Sequence, residues 1–405
     1  MIDIIVIGAG AAGMMAAITA ARAGKKILVL EKKEDIGKKI LATGNGKCNF
    51  TNLDMNIDKY NGDKKLAEIG LFRFDENDAI SFFRELGILE YSNNGYIYPY
   101  SKQATSIVQA LRMEMTRLKI DIRTGVSVEK IIKKSDRFII KSGKSEYEGQ
   151  KIIIATGLKA SPKLGSDGSI FPALESLGHS FTKITPALCG FYCEGLKFNK
   201  ISGVRTDARI SAVINDEVVA TDEGELQIVD YGVSGIPVFQ ISRHISQALS
   251  NKKSAKIKVD FFPRFSYEQL EDFLSDRISH TKDKRSINEL LNGVLNNKLV
   301  LELIHKSGIS PDKKAFDITS EEIEALVNVI KNTVLIVKKS RAFEFAQVCA
   351  GGINSTQICP DTLESKITKG MYFAGEILNV DGKCGGYNLQ WAWSSGFIAG
   401  MESSK

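Results

Sequence analysis

Cysteine and histidine are scarce in this sequence, and neither is arranged as a metal site or a redox pair. The 405 residues include six cysteines and four histidines. The cysteines form no CxxC pair and have no zinc-type spacing with the histidines, which argues against zinc, disulfides and dithiol chemistry. We therefore expect reduced thiols and no bound metal, and no histidine lies in a recognisable motif.

Long apolar runs and long runs of one charge are also missing. No stretch approaches about 18 uninterrupted apolar residues, so neither a membrane span nor a signal peptide is predicted, and we expect a cytoplasmic protein. The net charge is +6, but lysines are interspersed with acidic residues throughout. This pattern does not favour a nucleic-acid partner, and the oligomeric state is left undetermined.

The N-terminal segment has the pattern of a dinucleotide-binding βαβ unit. Residues 4–7 form an apolar strand, and Gly8, Gly10 and Gly13 follow in GxGxxG spacing before an alanine-rich helix. Gly8 permits the tight turn, Gly10 lets the backbone approach a pyrophosphate, and Gly13 lets the helix pack on the strand. Glu31 ends the next strand, where a carboxylate accepts from ribose hydroxyls and would repel a 2′-phosphate. The segment predicts an ADP-containing cofactor with its pyrophosphate at a helix N-terminus.

Three later segments have turn chemistry of a similar kind. The loop at residues 44–49, Gly-Asn-Gly-Lys-Cys-Asn, can direct backbone N–H groups at a planar ring, or it can be a surface turn. Residues 155–157 end an Ile-rich strand with Ala-Thr-Gly, where glycine either allows close backbone approach or simply ends the strand. Near the C-terminus, Gly375-Glu376 ends a strand and Gly385-Gly386 opens the last helix, which suits a cofactor polyol and a developing negative charge.

Apolar periodicity divides the rest of the chain into parts. Helical spacing at residues 77–86 and 105–118 predicts helices that cover the first sheet, and residues 120–157 predict a β-meander ending in a buried strand. Short β-rich runs in the middle of the chain predict an inserted domain. The next segment has the apolar spacing of helices, with Ser266 and Ser320 as candidate N-caps. After it the sequence again predicts strands, which complete the first domain.

Together these segments resemble the BaiN-like flavoproteins, also described as aminoacetone-oxidase-type FAD-binding enzymes, within the glutathione-reductase-like group. The resemblance extends over essentially the whole chain and is most specific at residues 44–52, 231–237 and 375–396. It implies an α/β fold class with three parts: a Rossmann-like FAD-binding domain at residues 1–190 and 335–405, a β-barrel-like insert at residues 191–265, and a helical subdomain at residues 266–334.

The resemblance also implies where FAD would bind tightly. Family members often have arginine at the position of Lys47 and glycine at that of Leu158, so roles that need those residue types are not carried over. The implied cofactor-binding residues are Gly8, Gly10, Ala11, Ala12, Gly13, Glu31, Lys32, Gly44, Asn45, Gly46, Cys48, Asn49, Val128, Ala155, Thr156, Gly157, Gly375, Glu376, Asp381, Gly385, Gly386, Asn388 and Leu389.

FAD is the expected resident cofactor because cofactor-compatible segments occur at the start, middle and end, and no second GxGxxG follows a strand. The first functional hypothesis is a flavin-dependent oxidoreductase that uses transient NAD(P)H to reduce an activated C=C bond in a small hydrophobic, steroid-like molecule or another enone. The alternative is an FAD-dependent amine oxidase that uses O₂. A third class, a nucleic-acid-modifying or regulatory flavoprotein, is disfavoured by the absence of a basic tract.

The sequence leaves the catalytic residues undetermined. Tyr387 either donates a proton to the substrate or is a packed aromatic residue at a helix start. Tyr231 and Ser234 of the insert are candidates for the substrate side. The residues that the resemblance places near the flavin ring are Lys47, Cys48, Tyr387 and Gln390.

Overall fold

Apolar, β-branched runs form the strands of this chain, and a computed structural model describes residues 1–280 and 285–405. In chain order the strands are β1 (Ile2–Ile7), β2 (Ile27–Leu30), β3 (Thr51–Asn52), β4 (Tyr60–Gly62), β5 (Glu90–Asn93), β6 (Tyr96–Pro99), β7 (Asp121–Arg123), β8 (Lys130–Lys133), β9 (Phe138–Ser142), β10 (Ser145–Ile154), β11 (Thr185–Ala187), β12 (Phe191–Glu194), β13 (Arg205–Ile214), β14 (Glu217–Val229), β15 (Gly232–Ser234), β16 (Ala255–Asp260), β17 (Thr333–Ser340), β18 (Val348–Ala350), β19 (Met371–Phe373) and β20 (Val380–Gly382).

Helices occupy the stretches whose apolar residues recur every three or four positions. They are α1 (Ala11–Arg22), α2 (Lys38–Leu41), α3 (Lys64–Arg73), α4 (Glu76–Glu85), α5 (Ala104–Arg117), α6 (Phe171–Glu175), α7 (Phe198–Ile201), α8 (Ile236–Ser250), α9 (Tyr267–Ser279), α10 (Ile287–Leu290), α11 (Asn297–Lys306), α12 (Ser320–Asn332) and α13 (Tyr387–Ser403).

Two compact units make up the described chain. The first comprises Met1–Thr185 and Gln347–Lys405, and the second comprises Pro186–Ala346. Residues 281–284, part of the predicted helical subdomain, lie outside the described residues. The division into three parts stays a prediction.

The first unit is built on a sheet with the order β7-β2-β1-β10-β9-β8, in which β19 also pairs with β10. Strand β1 is parallel to both β2 and β10, and β19 is parallel to the second half of β10. The chain passes from β1 to β2 on one side and reaches β10 on the other side only later. The carboxyl ends of β1 and β10 therefore flank the switch point at which open α/β sheets bind ligands.

The β-meander predicted at residues 120–157 is confirmed only in its later part. Strands β8, β9 and β10 pair antiparallel in sequence order. Strand β7 instead pairs in parallel with β2 at the opposite edge of the sheet. A strand of three residues has too little alternation to reveal which neighbour it joins.

The last helix, α13, packs directly on the first, α1. A Cβ on Gly396 would lie 2.5 Å from the carbonyl oxygen of Ala12, and a Cβ on Gly400 would lie 2.6 Å from that of Ala16. Both tryptophans of α13 are buried, and the Trp393 indole N–H donates to the carbonyl oxygen of Phe50 at 2.9 Å. The N- and C-terminal segments thus form one core.

The second unit contains a closed barrel with the strand order β12-β15-β14-β13-β16-β17. Strand β17 closes it by pairing with both β16 and β12. Residues 335–340 were predicted to belong to the first domain, but they lie in the barrel. The reason is the alternation of buried Leu335 and Val337 with exposed Val334 and Ile336, which turns one face of β17 into the barrel core.

Helix α8 was not predicted from the sequence. Its buried Val238, Ile241 and Ile245 are spaced three and four residues apart and belong to the core that the barrel strands share. This spacing could have predicted the helix. Because it follows directly on the short strand β15, the segment was predicted only as part of the β-rich insert.

One of the two predicted N-caps is confirmed. The Ser266 hydroxyl accepts from the Gln269 N–H at 3.1 Å and caps α9. Helix α12 is capped by Thr319 rather than Ser320, because Thr319 has the extended conformation and accepts from the Glu322 N–H at 3.3 Å. Only Thr319 has a glutamate three residues later, so the capping-box pattern could have identified it.

Candidate active site

The turn between β1 and α1 uses its three glycines in different ways. A Cβ on Gly13 would overlap the carbonyl oxygen of Gly8, and a Cβ on Gly8, whose φ is +99°, would lie 2.6 Å from the carbonyl oxygen of Ala155. A Cβ on Gly10 would meet no described atom within 4 Å. Gly8 and Gly13 are needed for packing, whereas Gly10 borders open space through which a phosphate can approach the backbone.

Helix α1 begins at Ala11, directly after this turn, and within the described chain no side chain caps it. Its first intrahelical hydrogen bond runs from the Met14 N–H to the Gly10 carbonyl at 3.0 Å. The N–H groups before Met14 therefore point out of the helix, and the first turn contains no acidic residue. This end of α1 suits an anion.

Glu31 lies against the same turn and is only 9% exposed. Its carboxylate accepts from the Ala9 N–H at 2.7 Å and from the Lys33 N–H at 2.8 Å. A carboxylate has about four acceptor positions, so two remain for ribose hydroxyls. The Val126 N–H donates to the Glu31 carbonyl at 2.8 Å, which brings the segment containing Val128 beside the end of β2.

The loop at residues 161–169, which was not predicted to be part of the site, packs against Gly157. The hydroxyl oxygen of Ser166 would lie 2.5 Å from a Cβ on Gly157, and the Glu376 carboxylate would lie 3.4 Å from the same Cβ. Ser166 is buried, and its hydroxyl has no hydrogen-bond partner among residues 1–280 and 285–405. The turn-rich run that follows Gly157 was the signal for this loop.

Lys32 joins β2 to that loop. Its ammonium group pairs with Asp167 and donates to the Ser169 hydroxyl at 3.1 Å. Lys32, predicted to contact the cofactor, is thus engaged with the protein, and its charge supports the loop that lies over Glu31.

The end of β19 meets the start of α1. A Cβ on Gly375 would lie 2.8 Å from the Cβ of Ala12. The Glu376 carboxylate accepts from the Lys39 ammonium group at 2.7 Å and from the Cys349 N–H at 2.7 Å. The structure therefore brings together the predicted segments at residues 8–13, 155–157 and 375–376.

The loop that follows α2 packs on the Gly385–Gly386 turn. A Cβ on Gly386, at φ +94°, would lie 2.6 Å from the carbonyl oxygen of Thr51, and the Asn52 side chain donates to the Gly385 carbonyl at 2.8 Å. The Asn49 side-chain oxygen is buried here and has no hydrogen-bond partner in the described part of the chain. A buried acceptor without a partner is unfavourable, so this atom is suited to a ligand donor.

Residues Gly44, Asn45 and Gly46 all have positive φ, and each of them is exposed. Three left-handed residues in succession explain the two glycines and the asparagine of this loop. Their exposure fits a surface turn, and the cofactor contact stays a prediction for these three residues.

Among the catalytic candidates, Cys48 is fully buried, and burial raises the pKa of its thiol to about 12. Such a thiol stays protonated and is a poor nucleophile. Lys47 is exposed. Tyr387 is buried, and burial together with the nearby charge of Asp54 raises the pKa of its phenol to about 12. Tyr387 thus retains its proton at neutral pH.

Gln390 is a structural bridge between distant segments. It is fully buried, and its amide donates to the carbonyl oxygens of Phe74 at 3.0 Å and Asp75 at 2.9 Å. Its amide oxygen accepts from the Thr51 hydroxyl at 2.6 Å. Protein groups therefore occupy the hydrogen-bonding atoms of this side chain.

Three other predicted cofactor residues shape the C-terminal turn. The Asn388 amide makes two hydrogen bonds of 2.8 Å to the backbone of Gly382, which close the turn. Asp381 is buried on β20 opposite Asn61, and Leu389 packs against the core of the first unit. Their side chains thus support the turn, and their backbone remains the part predicted to contact the cofactor.

Tyr231 and Ser234 belong to the second unit. Tyr231 immediately precedes β15, and its carbonyl oxygen accepts from the Cys193 N–H at 3.0 Å. Ser234 pairs with Gln227 on β14. Both residues are fixed by the barrel backbone.

The residues of the first unit fit an extended dinucleotide cofactor. The open backbone at Gly10 and the uncapped N-terminus of α1 fit the predicted pyrophosphate. Two buried atoms have no hydrogen-bond partner among the described residues. They are the Ser166 hydroxyl, beside Gly157, and the Asn49 side-chain oxygen, beside Gly386. Each is a group for which a bound ligand would supply the missing hydrogen bond.

Comparison with known proteins places this geometry in a family. Residues 2–402 match the family model described as the HI0933-like protein Rossmann domain. A 3-dehydro-bile acid delta(4,6)-reductase from Clostridium scindens is 42% identical over 403 residues, covering 99% of this chain and 98% of the relative. A ribosomal RNA dihydrouridine synthase from Haemophilus influenzae is 30% identical over 409 residues, with coverage of 99% and 98%.

Among solved structures, a 3-ketosteroid delta1-dehydrogenase from Sterolibacterium denitrificans, in complex with 1,4-androstadiene-3,17-dione, matches with a TM-score of 0.50. The identity is 11% and the match covers 99% of both chains, so the likeness shows a common fold. Within residues 1–280 and 285–405, no helix combines the length and apolar character needed to cross a membrane.

These findings confirm the predicted fold class, FAD as the cofactor and a flavin-dependent oxidoreductase as the class of enzyme. The absence of a nucleic-acid partner stays a prediction, since one relative is named for action on ribosomal RNA. The chain belongs to the HI0933-like Rossmann-domain family, as its resemblance to the BaiN-like flavoproteins predicted.

Proposed function

We propose that the protein reduces a C=C bond conjugated to a carbonyl group in a hydrophobic, steroid-like small molecule, with NADH or NADPH as transient hydride donor. The observation that carries the proposal is the 42% identity, over nearly the full length of both chains, to a 3-dehydro-bile acid delta(4,6)-reductase. That name describes the reduction of ring double bonds near a 3-oxo group. Bound FAD would supply the hydride transfer between donor and substrate.

The first unit supports this chemistry through backbone groups. The turn at residues 8–13 and the N-terminus of α1 would bind the pyrophosphate of FAD, and Glu31 would accept from the ribose hydroxyls while disfavouring a 2′-phosphate. Helix α13 begins after Gly386, and among the described residues no side chain caps it. Its N-terminal N–H groups favour negative charge beside them.

Reduction of a C=C bond also requires a proton, and Tyr387 is the proposed source. Its raised pKa, about 12, keeps the phenol protonated at neutral pH. A general acid must be protonated before it can act, and Tyr387 meets that condition. The same raised pKa makes the phenol a weak acid, so it gives up its proton only when the substrate becomes strongly basic during reduction. Tyr387→Phe is therefore expected to lower the reductive rate about 100-fold while leaving flavin content unchanged. A rate within about threefold of wild type would remove Tyr387 from this role.

Anaerobic stopped-flow absorbance of the FAD-loaded protein tests the proposal. Mixing with NADH or NADPH should bleach the flavin band, and a 3-oxo-Δ4 steroid should then restore it with formation of a product two mass units heavier. Bleaching by amines alone, with recovery only in air, would support the amine oxidase instead. A flavin band that no nicotinamide bleaches would contradict the proposed donor.

A second candidate function is reduction of a uracil ring in ribosomal RNA. The 30% identity to a ribosomal RNA dihydrouridine synthase favours it, and the C5=C6 bond of uracil is likewise conjugated to a carbonyl. Incubation of the enzyme and NADPH with unmodified ribosomal RNA, followed by nucleoside mass spectrometry, decides between the two. Dihydrouridine formation without steroid turnover would replace the first proposal. For either substrate we propose the cytoplasm as the location, since the nicotinamide donors are available there.

A further inference from the structure

The barrel of the second unit contains a cluster of one arginine and three aromatic rings, here called the Arg341 cluster. The guanidinium carbon of Arg341 lies 3.6 Å from the ring centroid of Phe345 and 4.5 Å from that of Tyr231. Tyr192 completes the cluster, with its ring centroid 4.7 Å from that of Tyr231 and 5.6 Å from the guanidinium carbon. The rings therefore cover faces of the cation and stabilise it there.

The barrel backbone holds this cluster in place. Tyr192 lies on β12, and the Arg341 N–H donates to the Gly190 carbonyl at 2.9 Å. A Cβ on Gly232 would overlap the carbonyl oxygen of Phe191, so glycine is what permits β15 to approach β12. Arg341 and the tyrosines are thus positioned before any ligand arrives.

The positive charge of the cluster is not neutralised by described residues. The Arg341 Nε–H is buried and has no hydrogen-bond partner in residues 1–280 and 285–405, and Nη1 reaches the Tyr192 hydroxyl only at 3.4 Å. Lys339 adds a second cation, 4.3 Å from the Tyr192 ring centroid. In the described chain neither Arg341 nor Lys339 has an ion pair, whereas the adjacent Lys338 pairs with Glu194 at 2.8 Å.

We infer that the Arg341 cluster binds an oxyanion, a carboxylate or phosphate group of a small molecule. A buried N–H without an acceptor is unfavourable, and rings that cover the faces of a guanidinium leave its in-plane donors for a ligand. Two neighbouring cations repel each other, and a bound anion would relieve that repulsion. This inference rests on the proposed function for its preferred ligand, a steroid that ends in a carboxylate.

The kinetic test compares a 3-oxo-Δ4 steroid carboxylate with its methyl ester, using the FAD-loaded full chain. Arg341→Gln should raise the KM for the acid about 10- to 100-fold, with little change in kcat or in the KM for the ester. Arg341→Lys keeps the positive charge but loses the planar guanidinium donors, so its KM for the acid should lie between those of wild type and Arg341→Gln. Lys338→Gln removes an equal charge three residues away, on β17, and should behave as wild type.

The same variants distinguish the two sources of oxyanion. A raised KM for NADH or NADPH, with an unchanged ratio between acid and ester, would assign the cluster to a phosphate of the hydride donor. The inference would be overturned if Arg341→Gln left the KM unchanged for the acid, the ester, NADH and NADPH.

A binding measurement keeps the test independent of turnover. The melting temperature of each variant is measured with a saturated steroid carboxylate, with its methyl ester and with NADP⁺. Wild type should gain stability from the acid or from NADP⁺, and Arg341→Gln should lose that gain. If the wild type reduces no steroid, the proposed function is wrong, but the melting temperatures still test whether the cluster binds an oxyanion. If the ligands stabilise wild type and Arg341→Gln equally, the inferred oxyanion site is wrong.

Discussion

Two glycine turns of the first unit open α1 and α13, and they are stabilised in different ways. The turn before α1 is held by its sequence neighbours: the Gly8 N–H donates to the Leu30 carbonyl at 2.8 Å, and the Ala9 N–H donates to Glu31. The turn before α13 is closed locally by Asn388 and is also held by a distant segment, since the Asn52 side chain donates to the Gly385 carbonyl across 333 residues. The first turn is held by contacts within one βαβ segment, whereas the second also needs a contact that forms only once the fold brings Asn52 near.

The largest effect is expected from Gly13→Val, which breaks the local turn. Its side chain would overlap the Gly8 carbonyl, so we expect a loss of about 4 kcal/mol or more in the free energy of unfolding and recovery of protein without flavin. Urea unfolding and the flavin absorbance of the purified protein measure both. Normal flavin content with unchanged stability would contradict the assignment of this turn.

Gln390→Leu breaks the distant set of contacts instead. It leaves the buried Thr51 hydroxyl without its acceptor and removes one hydrogen bond from each of two carbonyl oxygens. The Phe74 carbonyl keeps the Ser394 hydroxyl and the Asp75 carbonyl keeps the Ala79 N–H, so the change should cost about 2 kcal/mol in the free energy of unfolding. The protein that remains folded should keep its turnover rate, because Gln390 serves the fold. A stable variant with a lost rate would instead show that this side chain acts on the ligand.

Gly10→Ala separates packing from cofactor binding within the first turn. A Cβ here meets no described atom within 4 Å and Gly10 has φ −80°, so the stability of the apoprotein should change by less than about 0.5 kcal/mol. The methyl group would nevertheless hinder the approach of a pyrophosphate, and we expect FAD to bind about tenfold more weakly. Equal FAD affinity, measured by flavin fluorescence, would place the phosphate elsewhere.

The C-terminal ends of α1 and α13 are each held by an ion pair between an arginine and a glutamate, and acid should weaken these pairs. Arg22 of α1 binds Glu114, and Arg73 binds Glu402 of α13. The side-chain hydrogen bond from Arg117, and the one from Arg22, hold the pKa of Glu114 below its usual value. Its stabilising contribution is therefore complete above its unfolded pKa of about 4.3 and is lost as the pH falls through the lowered folded value.

Glu114→Gln should consequently flatten the acid limb of the stability profile. From pH 5 downwards, wild type should lose about 1 kcal/mol more than the variant in urea unfolding. Parallel profiles for the two proteins would show that this carboxylate does not anchor α1.

The smallest effect is expected at Cys48, in the loop that supports the second turn. Because burial raises the pKa of this thiol to about 12, it should resist alkylation below about pH 10, and Cys48→Ala should keep the turnover rate within about twofold. Rapid alkylation of Cys48 in the native protein at pH 8, or an inactive alanine variant that retains FAD, would restore it as a catalytic candidate.

These contrasts explain which features the sequence could predict. Strand β1, the glycine turn and Glu31 lie within one short segment, so their spacing alone predicts them. Ser166 and Arg341 were missed because what singles them out is the absence of a partner, which depends on neighbours brought near by the fold. Strand β17 was assigned to the wrong part because alternation predicts a strand but not the sheet that it joins.

The close contact of Gly396 and Gly400 with the backbone of α1 also determines when the protein can mature. The helix that begins at the nucleotide turn is synthesised long before α13, which emerges only after the second unit. Until then α1 has no α13 to pack against, and the turn before α13 does not exist. The flavin site is therefore complete only after α13 has emerged and packed on α1, and a chain truncated before α13 should fail to retain its flavin.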